Sequence, residues 1–261
     1  MRFRSREIPL RGSCEKSRPN TTTKTVKRLT VLGRAADDQE GARADIPQID
    51  TALATGRLAE DAWYERIREL LETAYLATDD PQQQSGLSGD GAHWERRRRV
   101  IVEAVDHDGT FLDVGCANGL LMETIVVWAR SRGHRIEPYG MDISPKLAAL
   151  ARTRLPMWSD RIFVGNIIAW EPLRRFDYVR TELVYVPRPR QPELVARLLD
   201  RVVAPGGRLI VCAYRPREAK DAEPTGELLH SWGFTVGGEA TATDATDGGV
   251  ATRVVWLDGG P

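Results

Sequence analysis

Residues 111–119, FLDVGCANG, constrain the fold of this chain more than any other stretch. An apolar start at Phe111-Leu112 runs through Asp113-Val114 into a turn of small residues, and Leu120-Leu121-Met122 opens a helical pattern immediately afterwards. Small side chains let a backbone bend tightly and approach a ligand closely, and the start of a helix adds N–H groups with no partner inside the helix. In an open parallel sheet, such a turn lies at the C-terminal edge of its strand, where ligands bind. A dinucleotide-binding turn, GxGxxG, requires two further glycines after its first. Counting from Gly115, those positions hold Ala117 and Leu120, so the dinucleotide reading fails twice.

Downstream, apolar and β-branched runs at 110–114, 135–141, 161–164, 176–180, 207–213, 234–236 and 250–257 alternate with helical patterns at 120–132, 145–153, 191–202 and 224–232. This alternation predicts an α/β fold: a doubly wound, mainly parallel seven-stranded sheet with helices on both faces. The Thr/Asp/Gly-rich stretch 237–249 shows no long helix, so the last strand is expected to return antiparallel. Upstream, Leu58, Trp63, Ile67, Leu70, Leu71 and Ala74 follow helical spacing, and 78–91 is expected to be a long loop. A second helix is expected from His93-Trp94, burying Val100, Ile101, Ala104 and Val105. Its four consecutive arginines, Arg96, Arg97, Arg98 and Arg99, point around the helix and are expected to form a solvated face. The organisation that follows is a disordered basic extension over 1–50, N-terminal helices with a loop over 51–108, and a ligand-binding core over 109–261.

Charge and cysteine usage narrow the partners. The chain has 37 Lys+Arg and 37 Asp+Glu, yet residues 1–35 hold ten basic side chains and two acidic ones, so the remainder is acidic. An acidic body matches phosphate backbones poorly, whereas a basic tail matches them well, which leaves nucleic acid possible but not favoured. No run of about 18 apolar residues exists, so no membrane span is expected. Cys14, Cys116 and Cys212 are too widely spaced for a disulfide framework or a CxxC metal pair. A cytoplasmic location, no metal, and a monomer or homodimer are expected.

The turn at 113–119 resembles the first motif of the class I S-adenosylmethionine-dependent methyltransferases: an acidic residue, one apolar residue, then GxGxG. Asp113, Gly115, Ala117 and Gly119 fill it, with alanine in place of the middle glycine. Further elements follow in the family's order. Tyr139-Gly140-Met141-Asp142 ends the next strand with a carboxylate that could accept both hydroxyls of a ribose, or simply cap the helix carrying Pro145. Asn166-Ile167 closes the following strand, where the amide could accept from an adenine amino group or merely shape a turn. Residues 175–182, RFDYVRTE, make a fourth strand, and Pro205-Gly206-Gly207 turns into a fifth. The resemblance covers residues 91–257 or so. It implies S-adenosyl-L-methionine as cofactor, held by Asp113, Gly115, Cys116, Ala117, Gly119, Asp142, Ile143, Asn166, Ile167 and Thr181, under a lid made by the N-terminal helices.

Methyl transfer from a sulfonium is a direct displacement, so the protein orients the acceptor and, where needed, removes its proton. The acceptor type is written after the fourth strand. Residues 180–185, RTELVY, lack the Asn/Asp-Pro-Pro-aromatic tetrapeptide of enzymes that methylate nucleic-acid amines. Cys116 and Cys212 are misplaced for a cytosine-C5 nucleophile, and Asp177 with Glu182 falls short of the carboxylate cluster of metal-dependent catechol-type enzymes. The catalytic candidates are Glu182, Tyr185 and, in the lid, His93. Each has a structural alternative: Glu182 could pair with Arg180, Tyr185 could be pocket wall, and His93 could cap its helix. Trp94 and Trp170 could line a pocket. The leading expectation is a methyltransferase acting on a small molecule. RNA or protein as acceptor, and a non-catalytic module that binds S-adenosylmethionine, are the alternatives.

Overall fold

The computed structural model of the chain describes residues 46–86, 91–216 and 218–260. Its strands are β1 (Gly109–Val114), β2 (Ile136–Asp142), β3 (Ile162–Val164), β4 (Phe176–Glu182), β5 (Val203–Tyr214), β6 (Gly238–Thr243) and β7 (Val250–Asp258). They form one seven-stranded sheet in the order β3-β2-β1-β4-β5-β7-β6. The first five pair in parallel, and β7 runs antiparallel to both β5 and β6. The strand order reverses between β1 and β4, the place where an open sheet of this kind leaves a crevice at its C-terminal edge.

Side chains alternate across the sheet, and both faces are buried. Leu112, Val114, Val179, Leu209 and Val211 enter one core, whereas Phe111, Tyr178, Ile210 and Cys212 from the same strands enter the other. That two-sided burial explains why the central strands read as continuous apolar runs. Among the described residues seven α-helices surround the sheet: α1 (46–54), α2 (Glu60–Leu76), α3 (Gly91–Arg99), α4 (Leu120–Ser131), α5 (Pro145–Arg154), α6 (Gln191–Arg197) and α7 (Thr225–Ser231). The last turn of the helix expected to 202 widens into a π-helix over Leu198–Val202.

Three expectations are corrected. Residues 46–50, placed in the extension by sequence, belong to α1, whose Ile46, Ile49 and Leu53 pack on the core and whose Asp50 accepts from the Trp63 indole at 2.8 Å. The rest of that extension lies outside the described residues. The sixth strand is not 234–236 but β6, inside the stretch read as a turn. It is an edge strand with one neighbour, and only half its side chains gain cover, so its sequence, GEATAT, carries no apolar run. Finally, the four arginines of α3 are not a uniform solvated face. Arg98 is buried, and Arg97 reaches the backbone carbonyls of Arg215 and Ala251 at 3.0 and 2.7 Å.

The Asp113–Gly119 turn and β2 fit together through a close approach at Gly140. A Cβ there would stand 2.5 Å from the Met122 sulfur and 2.8 Å from that of Cys116. Ala117 adopts φ 47°, the left-handed region that a side chain disfavours by about 1–2 kcal/mol. Gly140→Ala is therefore expected to cost about 1–3 kcal/mol by overpacking. Ala117→Gly is expected to be neutral or to gain up to about 1 kcal/mol, relief of strain being offset by backbone entropy. Urea midpoints of the two variants measure both.

Candidate active site

A cavity of about 1060 Å³ opens at the C-terminal ends of β1, β2 and β4, beneath α1, α2 and α3. Its volume is at the upper end of small-molecule sites, which run about 300–1,000 Å³. The floor is the small-residue turn after β1, and the roof carries Trp63, Tyr64, Tyr75 and Trp94. The roof is tied to the floor through Asn118, whose amide donates to the Pro81 carbonyl at 2.8 Å and whose oxygen accepts from the Leu120 amide.

The turn does not present the row of free amides expected from a helix start. The Gly115 and Cys116 amides donate to the Met141 carbonyl at 2.8 and 3.0 Å, and the Ala117 amide donates to Asp142. What the small residue allows is the close approach of a side chain. Gly115 has φ 74°, and a Cβ on it would meet the Tyr185 ring at 2.5 Å. That contact brings Tyr185 against the turn.

Asp142 ends β2 and is 6% exposed. One oxygen accepts from the Ala117 amide and the other from the Ser144 amide, each at 2.8 Å. Burial pushes its pKa up to about 6, against the opposing pull of those two N–H groups. Asp142 is not the cap of α5: Ser144 fills that role, its hydroxyl accepting from the Leu147 amide. Each carboxylate oxygen therefore keeps a lone pair for a ligand, as a ribose diol requires. The same Ser144 hydroxyl donates at 2.7 Å to Glu72 of α2, a buried carboxylate that also pairs with Lys146 at 2.9 Å. Glu72 was not singled out by sequence. Its only signal was an i,i+4 spacing from Arg68, which is common on any helix.

Beyond β3, the Asn166 oxygen accepts from the Ile168 amide at 3.2 Å, so the turn role is real, and the side chain also lines the cavity. Beside it the Tyr64 hydroxyl is buried and has no hydrogen-bond partner of good geometry. Burial drives that phenol up to about 12, so it keeps its proton and can donate. An orphaned buried hydroxyl next to an amide, with Ile143 and Ile167 alongside, fits a planar polar heterocycle such as adenine. The residues present thus fit S-adenosylmethionine. Gly119 and Thr181 do not face the cavity: Gly119 packs on Leu155, and Thr181 is fully buried beneath the strand end.

The end of β4 carries a buried polar cluster. Arg180 donates to Asp113 at 3.2 Å, to the Tyr185 hydroxyl at 2.9 Å and to the Tyr214 hydroxyl at 3.2 Å, and it is salt-bridged to Glu182. The Tyr185 hydroxyl in turn donates to Glu182 at 2.8 Å. Burial raises the Asp113 pKa to about 6, with Arg180 and Arg98 opposing. Burial also pushes Tyr185 well above the ordinary phenol value, Glu182 adding to the rise and Arg180 opposing it, so Tyr185 holds its proton. Glu182 and Tyr185 are brought together at the cavity. His93 is not: it lies outside the lining, within electrostatic reach of Asp244. Trp94 lines the cavity, whereas Trp170 packs on Phe163 away from it. Burial raises the Cys116 thiol well above its usual value and Cys212 to about 11, which keeps both as neutral thiols. Among the described residues no group of three or more His, Cys, Asp or Glu is placed to hold a metal ion, and no helix is long and apolar enough to cross a membrane.

Residues 112–211 match the family model described as a methyltransferase domain. No curated protein sequence matches the chain significantly. Among solved structures, the chain is similar to the 1,6-didemethyltoxoflavin-N1-methyltransferase of Burkholderia thailandensis, whose crystal structure holds 1,6-didemethyltoxoflavin and S-adenosylhomocysteine. Identity is 17%, over 78% of this chain and 92% of that one, with a TM-score of 0.54. It is also similar to the [4+2]-cyclase SpnF at 16% identity, over 76% of this chain and 96% of that one, with a TM-score of 0.52. Those two likenesses establish the fold. The matched stretch spans the turn after β1, Asp142 after β2 and the Glu182 end of β4, so residues 112–211 of this chain carry the signature of a methyltransferase domain.

Proposed function

We propose that this methyltransferase acts on a small molecule held between the cofactor turn and the roof of α1, α2 and α3. The observation that carries this reading is the shape of the site: a deep cavity walled by aromatic side chains from the roof and by the ends of β4 and β5. A macromolecular acceptor would need an open groove that admits a chain or a flipped base. The toxoflavin methyltransferase, similar in fold, also takes a small heterocycle.

S-Adenosylmethionine supplies an electrophilic methyl group for direct displacement. Asp142 would hold the ribose hydroxyls, and Asn166 and Tyr64 would face the adenine. The acceptor lies on the β4 side, where Glu182 takes its proton as the nucleophile attacks. Tyr185 stays protonated and acts as a donor that orients the Glu182 carboxylate, while Arg180 fixes both. The aromatic roof excludes water, which would otherwise compete for the methyl group.

Isothermal titration with S-adenosylhomocysteine tests the cofactor half: Asp142→Ala is expected to weaken binding at least tenfold, and unchanged affinity would remove Asp142 from the site. The buried carboxylate also sets a pH dependence. Because its pKa is raised to about 6, a proton competes with the ribose below that pH, and affinity should fall about tenfold between pH 7 and pH 5. A flat profile would show Asp142 ionised throughout. For the acceptor half, extract incubated with methyl-labelled S-adenosylmethionine is separated by mass. Label in the low-mass fraction, with Glu182→Gln slowing turnover by about 10²–10⁴-fold, is the expected result. Label only in RNA or protein would reassign the acceptor.

A further inference from the structure

Arg98 is the least explained charge in the cavity wall. It sits on α3, is 6% exposed, and lines the same cavity as Glu182 and Tyr185. Its guanidinium is held between two aromatic faces, 5.1 Å from the Trp94 centroid and 4.7 Å from that of Tyr214. One nitrogen, Nη2, donates to the Ser85 carbonyl at 3.1 Å, and the other, Nη1, is buried with no hydrogen-bond partner. No described residue forms a salt bridge with it. A second buried guanidinium, Arg180, lies 5.9 Å from the Tyr214 centroid and already engages both neighbouring carboxylates, Asp113 and Glu182. Asp113 feels both cations, yet its hydrogen bond goes to Arg180.

A buried cation with no carboxylate in salt-bridge contact carries a desolvation cost that two π faces, one carbonyl and the more distant Asp113 offset only in part. A structural staple for α3 would be served as well by a neutral side chain. A guanidinium fixed in place by aromatic rings, with donor capacity left over, is a pre-ordered receptor for a planar anion. We propose, resting on the small-molecule reading above, that the acceptor carries a carboxylate or similarly compact anion on an aromatic or apolar body, and that Arg98 receives that anion. Trp94 and Tyr214 face the body of the acceptor, and Arg98 sets its direction, so that the nucleophilic end points toward Glu182. The acidic groups Glu218, Asp221 and Glu223 also line the cavity but sit on the exposed segment after β5, not beside Arg98.

The test uses the full chain saturated with S-adenosylhomocysteine, titrated calorimetrically with 4-hydroxybenzoate and 1-naphthoate, each beside its primary amide. At least one acid is expected to bind tenfold or more tightly than its amide. Arg98→Gln should abolish that preference and leave S-adenosylhomocysteine affinity unchanged, and Arg98→Lys, which keeps the charge, should retain part of it. Equal binding of acid and amide, no binding of either acid, or a preference that survives in Arg98→Gln would each overturn the assignment. Weaker S-adenosylhomocysteine binding in Arg98→Gln would overturn it too, by giving the guanidinium to the cofactor's own carboxylate. Should Arg98→Gln fail to fold by circular dichroism, the acid-to-amide ratio in the unaltered chain and in Arg98→Lys decides. A chain that binds no S-adenosylhomocysteine at all fails the cofactor reading instead, a result separate from the acid-to-amide comparison.

Discussion

The Asp142 carboxylate joins the two turns on which the site is built. Through the Ala117 amide it holds the β1–α4 turn, and through the Ser144 amide it holds the β2–α5 turn. Burying a carboxylate is costly, and hydrogen bonds from two backbone amides recover part of that cost while fixing both loops to one point. The Ser144 hydroxyl then passes the constraint to Glu72, so α2, and with it Trp63 and Tyr64, is set relative to the same carboxylate. If Asp142 binds the ribose as proposed, a group that already organises its own surroundings leaves little reorganisation to be done when the ligand arrives.

Arg180 plays the corresponding part on the acceptor side. Its guanidinium reaches Asp113 from β1, Glu182 and Tyr185 from the β4 end, and Tyr214 from β5. Asp113, the acidic residue that opens the cofactor motif, is therefore coupled by one cation to the residue proposed as base. Both Nη nitrogens of Arg180 and the hydroxyls of Tyr185 and Tyr214 are engaged, which helps keep these polar groups tolerable in the interior, although Arg180 Nε is buried without a partner. Tyr185 becomes a fixed donor rather than a base for the same reason: buried beside a carboxylate, it cannot give up its proton.

The fold alone says little about the reaction, since similar folds serve a 1,6-didemethyltoxoflavin-N1-methyltransferase and a [4+2]-cyclase. The chemistry resides in what lies over the common sheet edge. Here that is a roof of aromatic residues, a Glu182–Tyr185–Arg180 cluster, and a second guanidinium at Arg98 held against Trp94 and Tyr214.

The first five strands, their alternation with helices and the small-residue turn after β1 were legible in the sequence because each is local. Strand, turn and helix are written in consecutive residues, and Asp113, Gly115 and Asp142 occupy positions fixed by that short-range pattern. The edge strand β6 was not legible, since an edge strand with one neighbour needs no apolar run. Glu72 and Tyr64 looked like ordinary residues of an amphipathic helix, and Arg98 looked like one of four solvated arginines. What made each part of the site was the packing of α2 and α3 over strand ends far away in the chain. The sequence by itself determined the parallel scaffold and the small-residue turn after β1, because strand, turn and helix are written there in consecutive residues. Only the tertiary structure decided which charges are buried and what they face, because desolvation depends on neighbours that no local pattern names.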